Sequence, residues 1–219
     1  MFEIPKSWFK PVLFFEFVFL FVILPVVFYF LRHDVAPYLL LCLTTILLWC
    51  LMLLMIDPRF KRFRLWNLEK LKQHLPNVLK HFLLAALAIT VASWWLTPQW
   101  LFNLPLEQTL MWLGLLVLYP LLSAWPQEII FRTYLFHRYK KIFKSKSLRA
   151  WLSAGAFSLA HLMFANWIAV LGSFIAGLVF AFTYMHSRST LLVAVEHSLW
   201  GCWLFTAGLG VHFDSGMLV

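Results

Sequence analysis

The sequence predicts an all-α fold: a polytopic membrane bundle of about seven transmembrane helices, forming a single domain over residues 1–219. Hydrophobic residues make up 63% of the chain and charged residues only 12%. Soluble domains are about 45–50% apolar and 25% charged, so a soluble protein of this composition could not cover its surface with polar groups. The apolar residues also lie in runs long enough to cross a hydrocarbon core of about 30 Å. A bilayer is therefore the solvent that this composition requires.

Hydrophobic length places the predicted spans at residues 11–31, 35–56, 82–96, 108–139, 148–167, 168–185 and 191–210. The fourth is too long for a straight span and contains Pro120 and Pro126. Each proline removes a backbone hydrogen-bond donor, so a kink is expected there. Residues 60–75 mix lysines with Trp66 and leucines, which predicts either an amphipathic helix on the membrane surface or a solvated loop.

The basic residues concentrate on one side of these spans. They lie in the N-terminal segment and in two loops, residues 57–80 and 138–149, whereas the opposite side has only Arg32 and Glu107 as clearly charged loop residues besides Asp34. The positive-inside rule then predicts a cytoplasmic N-terminus, in what we expect to be a bacterial inner membrane. The net charge of +9 is explained by this topology and by contact with an anionic cytoplasmic leaflet, so nucleic acid is not expected as a partner.

Several ionisable residues nevertheless fall inside the spans. A charged side chain at the centre of a bilayer costs roughly 2.5–3.5 kcal/mol on insertion scales, so each such residue needs a structural or functional reason. The residues concerned are Glu16, Glu128, Arg132, His161, Glu196 and His197.

A carboxylate, a guanidinium and two imidazoles in this group suggest hydrolytic chemistry. Glu128 and Arg132 are four residues apart on one helix, so they share a face and form either a structural ion pair or a supported base. A carboxylate and an imidazole that share a water can generate a nucleophile. A second imidazole can donate to an oxyanion. Glu128, His161 and His197 together therefore point to amide hydrolysis.

Three short motifs resemble those of the CPBP family, the CAAX proteases and bacteriocin-processing proteins also called ABI. Residues 126–132, Pro-Gln-Glu-Ile-Ile-Phe-Arg, resemble its EExxxR motif. Residues 157–161, Phe-Ser-Leu-Ala-His, resemble FxxxH, and residues 197–201 resemble a third motif in which a His precedes an Asn or Asp by four residues. The likeness covers residues 119–210.

This resemblance implies a glutamic-type intramembrane endopeptidase that acts on a membrane-anchored protein or peptide and needs no metal or other cofactor. In the family, the first Glu of EExxxR and the FxxxH His activate water, the last His and its Asn stabilise the oxyanion, and the Arg supports the carboxylates. Carried over, the resemblance implies a catalytic set of Glu128, His161, His197 and Arg132.

Two positions depart from the family pattern. Gln127 stands where the family has its water-activating Glu, and Gly201 stands where it has Asn. Glu128 serving as the base is the favoured hypothesis; an engineered Glu-to-Gln change and a catalytically inactive binding protein are the alternatives. Gln127, Glu196 and Asn166 are supporting candidates, and Asn166 or a backbone N–H is expected to replace the missing Asn side chain.

Other classes fit the sequence less well. It has no GxSG nucleophile, no pair of intramembrane Asp residues and no HExxH zinc motif. A zinc ion held by Glu128, His161 and His197 ranks below the metal-free hypothesis, because the charge of Arg132 opposes a cation. An inactive membrane scaffold or immunity protein is the main non-enzyme alternative. A transporter or proton relay ranks last, since related halves with broken helices are not evident.

Overall fold

The computed structural model of the chain describes residues 9–214. Across that range all regular elements are helical, which confirms the all-α prediction. The long helices are α1 Lys10–Phe30, α2 Arg32–Ile56, α3 Leu68–Leu96, α4 Thr109–Lys141, α5 Lys146–Ala160, α6 Trp167–Ser187 and α7 Thr190–Ala207. Shorter turns connect them, including the helix Asn103–Glu107 before α4.

Five of these helices, α1 to α4 and α6, are long and apolar enough to cross a membrane. Their outer faces expose large apolar side chains such as Phe15, Trp95 and Leu110, which are 72%, 82% and 87% exposed. Such faces suit contact with lipid. The other two predicted spans, α5 and α7, have 15 and 18 residues and carry buried polar groups. The chain is therefore an integral membrane bundle in which α5 and α7 bring polar residues to the interior.

The third helix begins earlier than predicted. An α-helix runs without interruption over Leu68–Leu96, with Pro76 inside it. Its start is fixed by Asn67, whose Oδ1 accepts a hydrogen bond from the Lys70 N–H at 3.2 Å. Residues 68–75 are therefore helical and not a loop, and they form the first turns of α3 instead of a segment separate from the third span.

Helix α4 accommodates its two prolines through widened π-helical turns. One turn, Pro120–Ala124, begins at the first proline, and the other, Ile129–Tyr134, follows the second. A short α-helical segment, Trp125–Glu128, lies between them. A proline has no N–H to donate to the preceding turn. The backbone hydrogen bonds of α4 therefore change from the α-helical to the π-helical spacing there, and the helix continues. The site residues of α4 lie in this irregular stretch.

Glu16 ties α1 to α4. Its Oε1 accepts hydrogen bonds from the Tyr134 hydroxyl at 2.6 Å, the Tyr139 hydroxyl at 2.9 Å and Arg138 Nε at 2.9 Å, while Oε2 accepts from Arg138 Nη2 at 2.7 Å. These partners satisfy the carboxylate, so the presence of Glu16 within the first span is explained by packing.

The two basic loops lie at the same end of the bundle. Asp57, just after α2, accepts a hydrogen bond from His137 Nε2 of α4 at 2.9 Å. Burial opposes ionisation of Asp57, but hydrogen bonds from the Arg59 N–H and His137 hold its pKa below the usual value. At the same end, Ser189 before α7 donates to the Asn67 carbonyl before α3.

The crossing of α5 and α6 depends on a glycine. A Cβ on Gly177 would lie 3.2 Å from both Ala154 Cα and Phe157 Cδ1. We therefore expect Gly177→Ala to cost about 1–3 kcal/mol through overpacking, measured as a lower unfolding temperature in detergent. Gly172→Ala is the matched control, because its nearest neighbour would be Phe213 Cζ at 3.7 Å. Equal unfolding temperatures for the two variants would contradict this account of the crossing.

Candidate active site

His161 lies at the end of α5. The helix stops at Ala160, and His161 begins a 3₁₀ turn, His161–Phe164, rather than standing inside a helix as predicted. Its Nδ1 is 2.7 Å from the Phe157 carbonyl oxygen. A carbonyl only accepts, so Nδ1 must carry the hydrogen, and a neutral ring keeps its lone pair on Nε2. The backbone thus selects the tautomer of His161 that can act as a base.

Glu128, Arg132 and His197 form a connected buried group. Glu128 Oε1 accepts a hydrogen bond from His197 Nδ1 at 2.7 Å, and Glu128 Oε2 lies 3.1 Å from Arg132 Nε. The side chains of Glu128 and Arg132 are both 0% exposed. The predicted ion pair across one turn of α4 is present, and α7 adds an imidazole to it.

Arg132 is also held by backbone and aromatic groups. Its Nη2 donates to the Gly177 carbonyl at 3.3 Å. The guanidinium carbon lies 4.4 Å from the ring centroid of Phe157 and 5.5 Å from that of Phe180, within the range of cation–π attraction. One carboxylate and two ring faces therefore compensate the buried charge.

The two histidines pack against the same phenylalanine. The ring centroid of Phe157 is 4.5 Å from His161 and 5.4 Å from His197. Phe180 stacks on the ring of His197, with centroids 4.9 Å apart. These rings fix the orientation of both imidazoles without contributing polar groups.

A large cavity opens beside the two histidines. Its volume is about 990 Å³, and its wall consists mostly of apolar side chains. The polar wall includes Tyr119, Gln127, His161 and His197, but neither Glu128 nor Arg132. The carboxylate predicted to be the base thus lies behind His197, whereas Gln127 at the family's base position reaches the cavity. Gln127 Nε2 donates to Ser123 Oγ at 2.7 Å, so its amide oxygen remains to accept.

The supporting candidates Glu196 and Asn166 lie elsewhere. Glu196 is fully buried, and its Oε1 is 3.7 Å from Nδ1 of His81 on α3. Asn166 Oδ1 caps α6 by accepting from the Ala169 N–H at 2.8 Å. Its Nδ2 donates to the carbonyls of Phe164 and His212. Neither residue is on the cavity wall.

Tyr119 is a site residue that the sequence did not indicate. Its hydroxyl is 2.9 Å from His197 Nε2, so His197 bonds Glu128 on one nitrogen and Tyr119 on the other. Nine positions of a regular α-helix place two residues about 180° apart, which predicts opposite faces for Tyr119 and Glu128. The π-helical turn Pro120–Ala124 between them changes that register. The only signal in the sequence was Gly201, an unfilled position beside a motif histidine.

The chain was then compared with known proteins. Residues 106–203 match the family model described as Type II CAAX prenyl endopeptidase Rce1-like. The match covers a little under half of the chain and supports the CPBP/CAAX protease family for that part. The matched part contains α4 to α6 and most of α7, and with them every residue of the predicted catalytic set. Searches of curated proteins and of solved structures found no significant match.

The match confirms the resemblance inferred from the three motifs, and the family it describes is one of CAAX prenyl endopeptidases. Within residues 9–214, no group of three or more His, Cys, Asp or Glu side chains is arranged to hold a metal ion.

Proposed function

We propose that this protein is an intramembrane endopeptidase that hydrolyses a peptide bond in a membrane-anchored protein or peptide. The observation that carries the proposal is the free Nε2 of His161 on the wall of an apolar cavity that also contains His197. A neutral imidazole with one nitrogen bonded to a carbonyl and the other unprotonated has the lone pair that a general base requires.

In this proposal Glu128 acts through His197 and does not touch the water. Both of its oxygens face other groups, Oε1 toward His197 Nδ1 and Oε2 toward Arg132 Nε, and the side chain is 0% exposed. The sequence predicts that Glu128 and His161 activate the water together. We propose instead that His161 alone takes the proton from the water. Gln127 contributes its amide oxygen as an acceptor that holds the water. Arg132 holds the Glu128 carboxylate in place through its Nε.

The reaction balances with these groups. His161 Nε2 takes one proton from water while the water oxygen bonds to the carbonyl carbon. The resulting oxyanion is stabilised on the His197 side of the cavity. When the intermediate collapses, the C–N bond breaks and His161 returns its proton to the leaving nitrogen. The products are a carboxylic acid and an amine, and the imidazole is regenerated.

The apolar cavity and the distribution of basic residues support a substrate that is anchored in the membrane. A volume of about 990 Å³ with a largely apolar wall suits a chain that carries a hydrophobic anchor. The family description names prenylated CAAX proteins, and we propose this substrate class for the chain. We also propose a bacterial inner membrane with the N-terminus in the cytoplasm, where the basic loops would contact the anionic leaflet and no nucleic acid takes part.

Gln127→Glu tests this function. The variant places a carboxylate on the cavity wall at the family's base position, so we expect it to cleave a farnesylated CAAX peptide at least about tenfold faster than the parent protein. Both proteins would be reconstituted in liposomes and assayed by mass spectrometry, with and without a chelator. Gln73→Glu, on the exposed side of α3, is the control for added charge and should leave the rate unchanged.

The cleavage activity of the parent protein distinguishes an enzyme from a binding protein. Cleavage by the parent that persists in chelator supports the proposed endopeptidase. Cleavage by Gln127→Glu with none by the parent would instead identify a natural binding protein whose catalytic base has been replaced by an amide. Cleavage by neither would contradict the proposed reaction.

A further inference from the structure

The space beside His197 that a side chain at position 201 would enter is filled from α4. A Cβ on Gly201 would collide with Cε1, Cζ and Oη of Tyr119. Residues 197 and 201 are one helical turn apart, so a side chain at 201 would share a face with His197. The phenol of Tyr119 therefore stands where the family's Asn side chain would stand.

The surroundings of Tyr119 hold its hydroxyl at the reacting end of the site. Its ring packs edge-on against Phe205, with centroids 5.6 Å apart, and against His197 at 5.9 Å. Tyr119 also lies on the cavity wall. Its hydroxyl is the outer member of a hydrogen-bonded chain that continues through His197 and Glu128, over 2.9 Å and 2.7 Å, toward Arg132. Tyr119 and His197 are thus the members of this chain on the cavity wall.

We propose that Tyr119 is the oxyanion-binding residue of this protein and replaces the Asn that the family carries at position 201. The inference rests on the proposed function, because it assigns a role within that hydrolysis. His197 Nδ1 donates to Glu128. When Nε2 also carries a proton, it donates to Tyr119 Oη, and the phenol hydrogen is then directed to the carbonyl oxygen of the substrate. No covalent bond of the phenol is broken in this step.

The geometry also accounts for the glycine. With Tyr119 in place, no side chain at 201 fits without moving the phenol. The two departures, a glycine at the family's Asn position and a tyrosine entering from α4, therefore form one exchange: one polar group replaces another at the same point in space.

Tyr119→Phe is the direct test, since it keeps the ring and removes the hydroxyl. We expect kcat on the farnesylated peptide to fall about 10²–10³-fold, the loss typical of one oxyanion donor, with KM within about twofold of the parent value. The control is Tyr134→Phe. Tyr134 is a buried tyrosine of the same helix that is not on the cavity wall, and its hydroxyl donates to Glu16 at 2.6 Å. It should lower the unfolding temperature and leave kcat unchanged.

A rescue variant separates this role from packing. Gly201→Asn alone should lose activity because its side chain collides with the Tyr119 ring. Tyr119→Ala with Gly201→Asn exchanges the phenol for the family's amide and should recover kcat to within about tenfold of the parent. A purely structural role for Tyr119 predicts no recovery, since the double variant restores neither the ring nor its contacts.

Binding of a phosphinic analogue of the same peptide keeps the two proposals distinguishable. Its anionic oxygen occupies the position of the oxyanion, so the parent protein should bind it at least about tenfold more tightly than the uncleaved amide, and Tyr119→Phe should abolish that preference. A parent that neither prefers the analogue nor cleaves the peptide would overturn the proposed function and this inference with it. If the parent protein prefers the analogue or cleaves the peptide, and Tyr119→Phe has the same preference and the same kcat, only the proposed role of Tyr119 is overturned.

Discussion

Replacing His161 by alanine should abolish most of the peptide hydrolysis, with a fall in kcat of about 10²–10⁴-fold. This is the contribution typical of a general base, and His161 Nε2 is the free imidazole lone pair that the Phe157 carbonyl leaves on the cavity wall. The unfolding temperature should change little, because the side chain is partly open to the cavity and its one hydrogen bond among residues 9–214 is to the Phe157 carbonyl of α5. The rate is measured on the farnesylated peptide with the protein in liposomes.

His186→Ala is a closely matched control for this variant. His186 Nδ1 bonds the Phe182 carbonyl at 2.7 Å, the same contact to the residue four positions earlier that His161 makes with Phe157. His186 is exposed at the end of α6 and is not on the wall of the large cavity. Its loss should therefore leave kcat unchanged. Activity of His161→Ala close to that of His186→Ala would show that another group activates the water.

Arg132→Met should produce the largest loss of stability, about 3–5 kcal/mol. The substitution keeps an unbranched side chain of similar length but leaves the carboxylate of Glu128 buried without its cation, and both side chains are 0% exposed. Breaking a buried ion pair from one side is costly because an uncompensated charge remains. Unfolding followed by tryptophan fluorescence in detergent gives the loss as a lower transition midpoint.

Removing both charges separates the cost of an unpaired carboxylate from the cost of lost packing. Glu128→Gln combined with Arg132→Met should recover more than half of the stability, since a neutral pair of similar volume avoids the buried charge. The double variant should still be catalytically impaired, because a neutral glutamine replaces the carboxylate that accepts the hydrogen bond from His197 Nδ1. A double variant as unstable as Arg132→Met alone would show that Arg132 stabilises the bundle mainly through its contacts with Phe157 and Phe180.

Much of the fold follows from apolarity, whereas helix ends do not. Composition and run length predict the membrane bundle, and the charges at 57–80 and 138–149 predict two loops that the contact between Asp57 and His137 places at one end. The end of α5 could not be found in this way. The apolar run continues past the last α-helical residue with Leu162, Met163 and Phe164. A prediction from hydrophobic length therefore does not detect the 3₁₀ turn at His161.

The candidate site was predictable where residues share a helix and not where helices meet. The spacing of Glu128 and Arg132 predicts their pairing, because residues four apart lie on one face. The contact of Glu128 with His197 depends on how α7 is rotated against α4, which no local pattern encodes. Tyr119 was missed for a related reason: the π-helical turn after it changes which face of α4 it occupies.

The central proposal is that this protein hydrolyses peptides with His161 as the base, although an amide occupies the position where the CPBP family has a carboxylate. Its most direct test is mass spectrometry of the farnesylated peptide after incubation with reconstituted protein in H₂¹⁸O and chelator. We predict that the parent protein forms a product whose new carboxyl group carries ¹⁸O, and that His161→Ala forms essentially none. An intact peptide after incubation with the parent, or equal labelled product from His161→Ala, would contradict the account.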